Sequence, residues 1–223
     1  LTDPMTNYNL LVFEQALKYN SDMYITNTNV SRGKNFRNAN VTAAGITLND
    51  KSNTYRFRLS GGMSMVFTPG YAPDYKNMLT QGYKYDVSVL KTRGNFQFNL
   101  NRSAMDAGFD ANDMGLTIYN NYNTNIASVS YNIYKPFWKL REMNNTLQVT
   151  NQNNFTTHKP QSAKIKYNTF LTTRNHLSVW GDITYSFVET FDYYEPRRKG
   201  MYFMKPKAFS GNLSYSSDYR KAI

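Results

Sequence analysis

Three groups of side chains in this sequence could do chemistry. Asp106, Asp110 and Asp113, with Asn112 among them, place several oxygen donors close together along the chain, as a Ca2+ site requires. Their spacing misses that of an EF-hand, because Met114 stands where an oxygen ligand belongs. Carboxylates in such a run also make Asx-turns or pair with nearby Lys and Arg. The second group is His158, His176 and Ser178. Neither histidine has a second ligand four residues away, and there is no His-Glu-x-x-His pattern. On a strand, His176 and Ser178 would share a face, the arrangement a barrel hydrolase needs, although alternation alone produces such pairs. With no Gly-x-Ser-x-Gly elbow and no phosphate-cradling glycine loop, the expectation is a protein that is not an enzyme. Its only candidate cofactor is Ca2+.

The third group lies in residues 190–206, where Phe191, Tyr193 and Tyr194 stand beside Arg197, Arg198 and Lys199. Aromatic faces with neighbouring cations could stack on sugars or grip the phosphates of an outer-leaflet glycolipid. The plainer reading is a loop packed on its neighbours, with a solvated basic tip.

The elements that must position these groups are extended strands. In residues 55–66, Tyr55, Phe57, Leu59, Met63 and Met65 fall on one parity and Arg56, Arg58, Ser60 and Ser64 on the other. Successive side chains of a strand point to opposite faces, so this segment has one apolar face and one basic, hydroxyl-bearing face. A helical period would scatter the arginines among the aromatics. Lys84 alternates with Tyr83 and Tyr85, and Lys164 and Lys166 alternate with Ala163, Ile165 and Tyr167. Arg56, Arg58, Lys84, Lys164 and Lys166 thus belong to the polar parity throughout.

The same alternation predicts about eleven strands, joined as antiparallel neighbours. Short turns, such as Asn20-Ser21-Asp22, residues 49–53 and Thr92-Arg93-Gly94, are expected to take turns with long polar connections. Segments of about nine to eleven residues can cross a bilayer when tilted, and short turns opposite long loops are the habit of outer-membrane barrels. The expected fold is therefore all-β: an antiparallel transmembrane β-barrel, a single domain over 1–223. The odd strand number marks it as a segment of a larger barrel. The apolar parity would face lipid, and the polar parity, with its five basic residues, would line an interior tending cationic. Aromatics near strand ends (Tyr55, Phe67, Tyr83, Phe137, Trp138, Phe187) would suit interfacial girdles.

Composition is compatible with this. The chain of 223 residues carries a net charge of +11 and 16% aromatics, with no cysteine, so disulfides and thiolate metal sites are excluded. Mean hydropathy of −0.63 excludes helical spans. The basic residues are dispersed, with no nucleic-acid motif, so no nucleic-acid partner is expected. Leu1-Thr2-Asp3-Pro4 has neither the basic nor the apolar region of an export signal.

Asn112-Asp113-Met114-Gly115, then Tyr134-Lys135-Pro136-Phe137-Trp138 and Arg141, resemble a family of Bacteroidota outer-membrane proteins of unknown function. In that family a carbohydrate-binding-like sandwich precedes a C-terminal barrel. The sandwich has no counterpart here, and Tyr219-Arg220-Lys221-Ala222-Ile223 lacks the terminal aromatic usual in such barrels. The resemblance implies a porin-like component of a Gram-negative cell outer membrane, serving passage, export or surface anchoring in glycan handling. Its partners would be outer-membrane lipid and lipopolysaccharide, glycan and other outer-membrane proteins. Two alternatives accompany it: a soluble β-rich carbohydrate-binding module, whose apolar parity would pack on a second sheet, and a barrel hydrolase.

Overall fold

The computed structural model describes residues 4–70, 76–113, 119–198 and 200–218. Ala72-Pro73, Met114-Gly115, Lys199 and the terminal segments 1–3 and 219–223 lie outside the described residues. The strands are β1 (Asn7–Leu17), β2 (Ser21–Ser31), β3 (Asn38–Asn49), β4 (Tyr55–Thr68), β5 (Met78–Lys91), β6 (Phe96–Met105) and β7 (Tyr122–Ile133). They continue with β8 (Leu140–Asn154), β9 (Pro160–Thr173), β10 (Ser178–Ser186), β11 (Thr190–Asp192), β12 (Phe203–Lys205) and β13 (Ala208–Ser216). Eleven of them form one antiparallel sheet in the order β1 to β10 followed by β13, and β11 pairs with β12 as a separate hairpin.

Both sheets are open. Among the described residues β1 pairs only with β2, and β13 only with β10. The closed transmembrane barrel expected from alternation and loop lengths is therefore not formed. An open sheet leaves a row of unpaired backbone groups at each edge, and each would cost several kcal/mol in hydrocarbon. The porin-like passage, the outer-membrane location, and the lipid, lipopolysaccharide and outer-membrane-protein partners all rested on that barrel. They fall with it.

Cross-strand register confirms two chemically distinct faces. One row across the sheet carries Phe57, Val89, Leu100, Val149, Ile165 and Tyr185. The neighbouring row on the other face carries Arg56, Asn99, Ser128, Gln148, Lys166 and Thr184, broken by Leu90. Many large residues of the apolar row are exposed, Leu100 by 51%. No second sheet of the described residues covers them, because the β11–β12 hairpin packs on β9 and helps line the polar side.

The polar face is concave. Thr26 and Thr28 of β2 border the same hollow as Gln161 and Ser162 of β9, although β3 to β8 lie between them in the sheet. The connections differ between the two ends. Residues 18–20, 50–54, 92–95, 134–139 and 174–177 make short turns at one end. Residues 32–37, 69–77, 106–121, 155–159 and 187–207 make the connections at the other. The 155–159 connection breaks the expected alternation of lengths, because β8 extends to Asn154. The first turn also sits earlier than its Asn-Ser-Asp sequence suggests: Tyr19 and Asn20 take the positive φ values, and Ser21 already faces Leu17.

Candidate functional site

At the long-loop end the concave face borders an open cavity of about 1290 Å³. Its floor comes from alternating residues of the sheet: Thr26, Ala43, Lys84, Met105 and Tyr122 lie in one cross-strand row. Its rim comes from the loops. Phe109 and Tyr119 enter from the β6–β7 connection, and Phe191, Asp192, Tyr194, Glu195 and Arg197 from the β11–β12 hairpin.

The β6–β7 connection folds down onto the sheet. Phe109 is 1% exposed, and Lys84 places its ammonium 5.0 Å from the Phe109 ring centroid. This approach requires glycine at position 82, since a Cβ there would fall within the backbone of Gly108 and Phe109. The Asp110 amide donates to Ser64 Oγ of β4 at 2.9 Å, and Ser64 is fully buried. The neighbouring connection is fastened to the same loop by ion pairs. Arg32 donates to Asp113 at 2.7 Å, while Arg37 donates to Asp113 at 2.8 Å and to Asp110 at 2.7 Å.

The hairpin is fastened in turn. The Tyr194 hydroxyl donates to the Asn120 carbonyl, and Asn120 Nδ2 donates to the carbonyls of Ala107 and Phe109. Burial pushes the Tyr194 phenol above its ordinary value, with the neighbouring Gln161 amide working the other way, so the donor keeps its proton. Tyr119 and Tyr194 stand with ring centroids 4.9 Å apart, and Tyr119 remains 56% exposed, presenting a free aromatic face to the cavity. Asp192 accepts from the amides of Tyr194 and Glu195 and from Lys205, and these bonds hold its carboxyl below its usual range.

One residue reaches the cavity through an irregularity. Gln152 pairs with Ser162 and Asn153 with Pro160, so Gln161 is the extra residue of a β-bulge. The bulge re-aims its side chain against the alternation, into the concave side. Its Oε1 accepts from Gln152 Nε2 at 2.8 Å, and its Nε2 has no hydrogen-bond partner, although Gln161 is only 3% exposed.

The sequence-derived candidates sort differently. Asp106, Asp110 and Asp113 do not form a Ca2+ site: Asp110 and Asp113 face arginines, and Asp106 accepts from the amides of Tyr83, Gly108 and Phe109. No group of metal-ligating side chains occurs among the described residues. Arg56, Arg58, Lys84, Lys164 and Lys166 do share the polar face, but so do Asp22, Asp86 and Asp182. Lys166 lies 3.7 Å from Asp182, so the basic side chains share this face with carboxylates. Of the loop candidates, Tyr194 and Arg197 line the cavity. Tyr193 packs on Tyr202 at 5.4 Å, and Arg198 is an exposed turn residue. His158 and His176 occupy turn positions with φ of 57° and 62°. Ser178 Oγ lies 3.3 Å from Thr172 Oγ1 rather than against His176, which removes the basis of the hydrolase reading.

Sequence reasoning missed Gln152, Gln161, Phe109, Tyr119 and Tyr122. Tyr122 could have been found as the start of the alternating strand 122–133. The bulge at Gln161 has no local signature.

The architecture defines an all-β domain with an open, curled sheet and a loop-lined cavity on its polar face. The chain belongs to the family described as Domain of unknown function (DUF5916), whose model matches residues 1–223. That membership brings no activity with it, and the barrel implied by the resemblance is replaced by the open sheet. Searches among curated proteins and among solved structures find no match.

Proposed function

We propose that this chain is a β-rich carbohydrate-binding module that acts by binding and not by catalysis. The observation that carries this reading is the composition of the long-loop cavity. Its aromatic faces, Tyr119, Tyr122 and Phe191, stand beside the side-chain amides of Gln152 and Gln161 and the carboxylates of Asp192 and Glu195. Sugars present apolar C–H faces and a surround of hydroxyls. Flat aromatic walls accommodate the first, and side-chain amides and carboxylates pair with the second. The volume is somewhat above the usual range of small-molecule sites, enough for more than one sugar ring.

Isothermal titration with a panel of neutral oligosaccharides tests this. Wild-type protein is expected to bind at least one class, with no oligosaccharide cleaved on prolonged incubation. Tyr119→Ala is expected to weaken that binding about tenfold, the value of one stacked ring. Absence of binding across the panel, or binding indifferent to Tyr119→Ala, overturns the reading.

A further inference from the structure

Among the described residues that line the cavity, Gln161 is the buried side chain with a donor left unmatched. It is 3% exposed and turned inward by a bulge, and its Nε2, although near enough to the Tyr194 phenol to act on it, completes no hydrogen bond while its Oε1 is held by Gln152. A buried donor left without an acceptor is destabilising, and a ligand that supplies the acceptor would account for it. The missing partner must be an acceptor. Around the cavity, Lys84 and Arg197 are offset by Asp192 and Glu195, so no net charge favours a carboxylate over a neutral acceptor.

The same cavity also has an apolar element. β11 packs against β9, and Phe191 lines the same cavity as Gln161. A sugar hydroxyl would satisfy Nε2 but offers nothing to this element. An acetamido substituent offers both a carbonyl acceptor and a methyl group. We infer that Gln161 recognises the acetamido carbonyl of an N-acetylated sugar, with Phe191 receiving its methyl; this rests on the carbohydrate-binding reading above.

The test compares N-acetylglucosamine oligomers with glucose oligomers of equal length and linkage by isothermal titration. Wild-type protein is expected to bind the acetylated series about tenfold more tightly, because the glucose hydroxyl offers Nε2 an acceptor but brings no methyl group to Phe191. Gln161→Glu exchanges the donor for an acceptor at nearly constant volume, and it should reduce the ratio to within about twofold. Its thermal unfolding, followed by circular dichroism, verifies that it is folded. Should it not fold, Phe191→Ala takes its place, and the ratio should again fall. Equal affinity of the wild type for the two series overturns this inference while leaving carbohydrate binding intact. A ratio that survives whichever of these substitutions folds also overturns it. Binding of other neutral glycans but of neither series overturns it likewise, and no binding of any glycan removes both proposals.

Discussion

The two ends of the sheet are built on opposite plans. At the short-turn end each connection is closed on itself or on its immediate neighbour. Asp50 gathers the amides of Ser52, Thr54 and Tyr55, the Thr92 amide donates to the Thr54 carbonyl, and Gln97 reaches Tyr134 at 3.1 Å. At the long-loop end the links leap across the fold: Arg32 and Arg37 meet Asp113 and Asp110, and Tyr194 meets Asn120. One end preserves the register of adjacent strands. The other holds the curl, because only bonds between distant loops can keep the walls of a cavity at a set distance. Binding chemistry collects where the second kind of bond is made.

The contrast is broken most severely at Gly82. Gly82→Ala would drive the β6–β7 connection off the sheet, with an expected loss of about 2 kcal/mol or more in urea unfolding and loss of oligosaccharide binding. Gly61→Ala, whose Cβ would meet only the Lys84 carbonyl at 3.6 Å, is the control. It should leave stability unchanged or raise it by about 0.5 kcal/mol. Next comes Arg37→Ala, which strips Asp110 of its guanidinium partner and leaves Asp113 to Arg32 alone. Because Arg37 is partly exposed, an expected cost of about 1 kcal/mol, with weaker oligosaccharide binding in titration, is appropriate.

At the other end, bonds from Ser52 and from the amides of Tyr55, Ser52 and Thr54 lower the Asp50 carboxyl to a pKa of about 2. Its folded value lies below its unfolded one, so its stabilisation is complete above about pH 4 and is lost as pH falls toward 2. Asp50→Asn should flatten that part of the acid-unfolding curve without affecting ligand titration at neutral pH. The smallest effect is expected for His176→Gly. The backbone at φ 62° accepts glycine without strain, and stability should stay within about 0.5 kcal/mol with unchanged binding.

Alternation made the strands legible because it is a local property. Residues 55–66 and the hairpin around Thr92-Arg93-Gly94 lie within β4, β5 and β6 and their joining turn. Closure is not local: whether β1 meets β13 depends on the accumulated curl of the whole sheet, and Leu11 or Leu213 carries no sign of it. The acidic run was visible, but its partners were not, since Arg32 lies 81 residues from Asp113. The β11–β12 hairpin pairs only three residues on each side, too few for Phe191 and Phe203 to display a period. Gln161 escaped because a bulge reverses the parity that located everything else.

The unpaired flank of β1 has a further consequence. Its eleven residues, Asn7–Leu17, are exposed along their whole length and, among the described residues, pair with β2 alone. Every other peptide N–H of that strand therefore points away from its neighbour. In a deuterium pulse, incorporation along β1 should follow a two-residue rhythm, fast and slow by turns, whereas the middle strands β5 and β6 should stay uniformly slow.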